Sequence, residues 1–167
     1  MNEKLMNQVA EMKKQTIGVE VEMNSIARSK AAKLAAEFFG TGRWQDTARR
    51  NGYSTWSAWD AQGREWKFQK DVSIHGPDSE KCEMVTPILT YADIDLLQGL
   101  IRRLRRAGAK SDATRGCGVH LMSTIDVRGR GSLPGLVLHI FHDIAWLTLQ
   151  QLAEQGYCVG IYTLIFP

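Results

Sequence analysis

The stretch Ile17-Gly-Val-Glu-Val-Glu-Met23 alternates apolar and polar positions with a period of two, which predicts a β-strand over residues 16–23. Alternation sends Ile17, Val19, Val21 and Met23 into a core and puts Glu20 and Glu22 on the opposite face, roughly 7 Å apart at two residue rises. Two like charges on one face of an otherwise apolar strand are stable in water, or they hold a cation. Hard cations such as Mg²⁺ take carboxylate oxygens and keep positions open for phosphate.

Three further segments have related chemistry: Asp71-Val-Ser-Ile74, Cys82-Glu-Met-Val-Thr-Pro87 and Cys117-Gly-Val-His120. Glu83 lies on a predicted strand over 81–86 that Pro87 stops. On a strand over 117–122, Gly118, His120 and Met122 share one face, and Gly118 leaves room beside His120. Asp71 and Ser73 either alternate onto a strand face or belong to a turn, because His75-Gly-Pro-Asp-Ser79 follows with loop chemistry.

In this order and spacing, Gly18-Val-Glu20-Val-Glu22, Asp71-Val-Ser73, Glu83-Met-Val-Thr86-Pro87 and Cys117-Gly-Val-His120 resemble the amidoligase family, carboxylate–amine ligases related to glutamine synthetase and glutamate–cysteine ligase. The resemblance covers residues 15–121 of a single domain spanning 1–167; the segment 122–167 does not share it. It implies an α+β fold, a curved antiparallel sheet with helices packed on one face, glutamine synthetase-like and partial here. It implies an ATP-dependent ligase that forms an amide through an acyl phosphate. Glu20, Glu22 and Glu83 are then Mg²⁺ ligands, Asp71 and Ser73 lie near the substrate's amine or carboxylate, and His120 reaches a nucleotide or acyl phosphate. Arg115, like Arg43 and Arg128, is a candidate to share the phosphate charge. ATP and Mg²⁺ are the implied cofactors, and amino-acid or peptide carboxylates and amines the implied substrates, with an oligomer compatible. The family's second histidine falls at position 122, where this chain has Met122.

At 167 residues the chain can build one sizeable core. Its 44% hydrophobic and 23% charged content is that of an ordinary globular protein, and a net charge of +3 is too mild to argue for nucleic acid by itself. The charge is uneven: no Lys or Arg follows Arg130, and residues 132–167 carry only Asp143 and Glu154. That change of composition suggests a truncated or frame-shifted family member. Cys82, Cys117 and Cys158 form no CxxC pair, which points to a reducing compartment, the cytoplasm. Leu133–Leu149 is apolar, but His139, His142 and Asp143 in its middle argue against a membrane span. His139 and His142, spaced i, i+3, fit a core edge better than a metal site.

Residues 1–14 read as a loose helical lead-in. Asn24 or Ser25 is a candidate cap for a helix with Ala31, Leu34, Ala35 and Phe38 on one face and Gly40 as its stop. Tyr53–Trp59 and Arg64–Lys70 read as a hairpin around Asp60-Ala-Gln-Gly63. Thr90-Tyr-Ala-Asp93 resembles a capping box for a helix with Ile94, Leu97, Ile101 and Leu104 inward and Arg102, Arg103, Arg105 and Arg106 outward, closed by Gly108. Pro134 opens a last helix to about Gln155, and Tyr157–Phe166 is β-rich. Trp44, Tyr53, Trp56, Trp59 and Trp66 with Arg43, Arg49, Arg50 and Arg64 also form the parts list of a single-strand nucleic-acid binder. That module, or a non-catalytic remnant of the ligase, is the alternative function.

Overall fold

The computed structural model describes residues 6–7, 10, 13–14, 16–48 and 54–123. They form an α+β fold with one seven-stranded antiparallel sheet and two helices. The elements are β1 (Thr16–Met23), α1 (Arg28–Phe38), β2 (Trp44–Asp46), β3 (Trp56–Trp59), β4 (Glu65–Gln69), β5 (Cys82–Val85), β6 (Leu89–Thr90), α2 (Ile94–Arg106) and β7 (Val119–Ser123). The order β2-β3-β4-β5-β1 runs across the sheet. β6 continues the β5 side of β1, at Ile17↔Leu89, and β7 pairs with the other edge, at Glu20↔His120. β1 is therefore central, and neither of its edges faces water.

The period-two pattern of β1 separates the two faces of the sheet. Val19, Val21 and Met23 join Met84, Phe68, Trp66 and Val119 in one buried core with both helices. Glu20 and Glu22 point to the other face. α2 buries Leu97, Leu100, Ile101 and Leu104, with Ile94 only half-buried, and exposes its four arginines. Its start is the expected capping box, in which Thr90 and Asp93 satisfy each other across a 3₁₀ turn, Tyr91–Asp93. α1 presents Ala31, Ala32, Ala35 and Ala36 to the sheet, so the buried stripe is rotated from the expected Ala31, Leu34, Ala35, Phe38 face. Alanines let the helix approach the strands closely, while Phe38 sits at the rim, where its ring packs on Gly99; a Cβ there would lie 2.8 Å from it.

Neither Asn24 nor Ser25 caps α1. The N-cap is Ala27, without a side-chain hydrogen bond. Asn24 extends β1 instead: it bridges Lys110, and its side-chain amide donates to Cys117 Sγ at 3.6 Å. Ser25 adopts a left-handed φ of 63° that turns the chain into the helix. Gly40, with φ 72°, ends α1 as expected. The β3–β4 hairpin forms around Asp60–Gly63, and Gly63 takes the positive φ of 78° that the turn requires. Asp60 accepts from the N–H groups of Gln62 and Arg64 and from Trp66 Nε1. Arg64 bridges Asp60 and, through two hydrogen bonds, Asp93, tying the hairpin to the start of α2. The short strands β2 and β6 have no periodic signal of their own; pairing to β3 and β1 makes them strands. The expected helix from Pro134, the β-rich 157–166 segment, His139, His142 and Cys158 lie outside the described residues, as does most of 1–14.

Candidate metal and substrate site

The face opposite the helices carries the predicted site residues, and the register orders them in rows. Gln69, Glu83 and Glu22 are successive partners across β4, β5 and β1. Lys67, Val85, Glu20 and His120 form the next row, two residues along.

Glu22 is the most heavily engaged of these carboxylates. Its Oε2 accepts a 2.7 Å hydrogen bond from the Gly118 N–H, its Oε1 accepts from Ser73 Oγ at 3.4 Å, and His120 Nε2 stands 3.3 Å from Oε1. Burial raises its pKa, and the neighbouring Asp71 raises it further; His120 and the Gly118 N–H act in the opposite direction. Glu83 is 7% exposed and accepts from Gln69 Nε2 at 2.8 Å. Burial pushes its pKa up to about 7 against the Gln69 hydrogen bond, and the charges of Glu20, Asp71 and Glu22 add to the rise.

Asp71-Val-Ser-Ile74 is a bend rather than a strand. The Ser73 N–H donates to Asp71 Oδ1 at 2.7 Å, an Asx-type turn that folds the segment back over the sheet face. Two contacts hold it down. The His75 N–H donates to the Arg115 carbonyl at 2.7 Å, and Gly116, with φ 76°, lies so close that a Cβ would meet the Ser73 carbonyl oxygen at 2.8 Å. Arg28 fixes the far end of the loop by donating to the carbonyls of Asp78 and Lys81.

The result is a cluster in which carboxylate oxygens of Glu22, Asp71 and Glu83 all lie within 4.8 Å of one another. Of the three acids expected to bind metal, Glu22 and Glu83 come together, and Glu20 shares their face one row away. The third member of the tight cluster is Asp71, expected beside the substrate. The Asp-x-Ser turn followed by Gly-Pro was the signal for this, since an Asx turn reverses the chain where a strand would carry Asp71 past the site. An all-oxygen donor set of mutually repelling carboxylates fits a hard divalent cation. Ser73 and His120 both reach Glu22. Arg115 is exposed on the 3₁₀ turn Ala113–Arg115, and its guanidinium lies over Gly76, 3.4 Å from where a Cβ would be. Met122 pairs with Gly18 in the β1–β7 ladder.

The described tryptophans divide by face. Trp66 is fully buried, Trp56 is half-buried against the exposed Trp44 at 5.2 Å between ring centroids, and Trp59 is half-buried under the Arg43 guanidinium at 5.2 Å. Much of the aromatic content therefore serves the hairpin and core. No helix among the described residues is long and apolar enough to cross a membrane.

Fold and site together define an α+β protein with an acid-lined antiparallel sheet face. Residues 13–133, well over half of the chain, match the family described as "putative amidoligase enzyme", and the protein belongs to this amidoligase family. The match runs past His120 through β7. No curated protein and no solved structure matches the chain.

Proposed function

We propose that the protein is an ATP-dependent carboxylate–amine ligase working on a glutamine synthetase-like sheet, with amino-acid or peptide-like substrates. The observation that carries this reading is the convergence of Glu22, Asp71 and Glu83 beside His120. Glu22, Asp71 and Glu83, with Glu20 in the next row, would hold Mg²⁺, which when bound neutralises nucleotide phosphate charge. Amide formation from a carboxylate and an amine is uphill in water. ATP therefore activates the acid as an acyl phosphate, which the amine then attacks with release of phosphate. Phosphoryl transfer needs positioning and charge neutralisation more than a protein nucleophile, which agrees with a site made of acids, a histidine and backbone N–H groups. His120, 3.3 Å from Glu22, is placed to donate to a phosphate oxygen or to take the proton from the attacking amine. Ser73 and the Asp71 turn orient the carboxylates and offer polar contacts to the amine substrate.

The test is ADP release over a panel of amino acids and short peptides in the presence of Mg²⁺. Release that requires both an acid and an amine, lost in Glu22→Gln and in His120→Ala, is the expected result. Failure of Mg²⁺ and ATP together to raise the melting temperature of the wild-type protein would refute the reading, because a ligand that binds the folded state must stabilise it.

A further inference from the structure

The sheet register puts three residues of different chemistry on one straight diagonal across the acid face. Trp59 on β3 is the partner of Glu65. Lys67, one strand over and two residues along, is the partner of both Ser57 and Val85. Glu83, one strand and two residues further, is the partner of Gln69 and Glu22. Each step crosses one strand spacing of ~4.8 Å and two rises of ~3.3 Å, so Trp59 lies roughly 16 Å from Glu83, with Lys67 midway.

Each end of this line is built and the middle is uncommitted. At one end, Trp59 lines a shallow open depression with Gly42, Arg43, Trp44 and Gln45. The loop that forms its wall is clamped to the Trp59 backbone: Thr41 Oγ1 donates to the Trp59 carbonyl at 2.7 Å, and the Trp59 N–H donates to the Arg43 carbonyl at 3.1 Å. The Arg43 guanidinium lies over this indole, 5.2 Å from the ring centroid, so a planar base stacks here by displacing Arg43 from the ring face, and the Gln45 amide offers both a donor and an acceptor. Glu65 beside Trp59 gives that end an acceptor suited to ribose hydroxyls and unsuited to phosphate. At the other end stands the carboxylate cluster. Between them Lys67 is half-buried, and its side chain makes no hydrogen bond or ion pair with another described residue, although it shares its face with several acids.

We propose that the Trp59–Lys67–Glu83 diagonal is the nucleotide track: the base stacks on Trp59, the phosphate chain crosses Lys67, and the terminal phosphate reaches the Glu22–Asp71–Glu83 cluster. This assigns the direction in which a nucleoside triphosphate lies on the sheet, and it makes Lys67 the residue that neutralises the inner phosphates. It rests on the ligase reading above.

Calorimetric titration of the full chain with Mg·ATP and with Mg·tripolyphosphate tests it. Trp59→Leu should weaken Mg·ATP roughly ten- to a hundred-fold, the span that loss of a base–aromatic stack produces, and leave tripolyphosphate unchanged; Trp59→Phe, which keeps a ring face, should bind ATP nearly as wild type does. Lys67→Met, which keeps the aliphatic stem, should weaken both ligands alike, by roughly ten-fold. Glu83→Gln should weaken both most. Mg·ATP binding that is lost in Glu83→Gln but unaffected by Trp59→Leu and Lys67→Met overturns the track and leaves the ligase reading intact. No Mg·ATP binding by the wild-type protein overturns both.

Discussion

Glu22 and Glu83 stand directly opposite each other in the β1–β5 ladder, on the face away from the helices. Residues so paired have Cβ atoms about 5 Å apart, and both carboxylates are largely buried. Sheets avoid directly opposed like charges, because the pair repels. Here the repulsion is sharpened by Asp71 folding over the same point. The arrangement is a local sacrifice of stability that a cation, held as proposed above, would offset.

Glu83→Gln should therefore stabilise the metal-free protein. The amide can keep its hydrogen bond with Gln69 while removing one negative charge from the cluster. A gain of about 1 kcal/mol, or 2–4 °C in melting temperature, is expected at pH 8, together with loss of the stabilisation that Mg²⁺ gives the wild type. Differential scanning calorimetry with and without Mg²⁺ measures both. A destabilised variant that still responds to Mg²⁺ would count against the cluster as a cation site.

The pH dependence follows from Glu83. Its folded-state pKa of about 7 lies above its ordinary value of 4.5. Between these values the folded protein holds a proton that the unfolded chain has released. The stability Glu83 contributes is thus fully present below pH 4.5 and is lost as pH rises through about 7. A cation favours the ionised cluster, so Mg²⁺ should bind more tightly at pH 8 than at pH 6 and release protons as it binds. Titration in two buffers of different ionisation enthalpy reads that release directly; a heat independent of buffer at pH 6.5 would contradict it.

Gly116 and Gly118 should respond differently to alanine. At Gly116 a Cβ would meet the Ser73 carbonyl oxygen at 2.8 Å, and its φ of 76° is itself unfavourable for alanine. Gly116→Ala should cost about 1–3 kcal/mol and loosen the Asp71 bend, weakening Mg²⁺ binding. At Gly118 the nearest atoms, Glu22 Oε2 and His120 Nε2, would be 3.5 and 3.8 Å away, ordinary contact distances. Gly118→Ala should fold with near-normal stability. Chemical denaturation of the two variants side by side checks the order.

Arg64 joins two acids that are almost fully buried, Asp60 and Asp93. Arg64→Met leaves both without their cation and should cost about 3 kcal/mol. Its two hydrogen bonds to Asp93 hold that carboxyl down to a pKa of about 2, below the ordinary 3.8. That contribution is fully present above pH 3.8 and is lost as pH falls through about 2. The wild-type protein should consequently lose stability in acid more steeply than Arg64→Met does, which acid titration followed by circular dichroism can measure.

Local chemistry made much of this protein legible from its residues alone. The alternation of Ile17–Met23 specifies a strand and its two faces. Asp60–Gly63 specifies a hairpin, Thr90-x-x-Asp93 a helix start, and the leucine and arginine spacing of α2 its buried and exposed sides. Each of these depends on contacts within a few residues. What only the tertiary structure decided depends on contacts between distant segments. Asn24 extends β1 instead of capping α1 because Lys110 and Cys117 lie beside it. Asp71 rather than Glu20 completes the carboxylate cluster because Gly116 and Arg115 hold the bend down. Glu22 takes its hydrogen bond from Gly118, 96 residues away, and Trp59, Lys67 and Glu83 fall into line only once three strands adopt one register. Side-chain alternation is a property of a single strand, whereas register and loop path come from packing many strands and helices at once, which no short stretch of sequence contains.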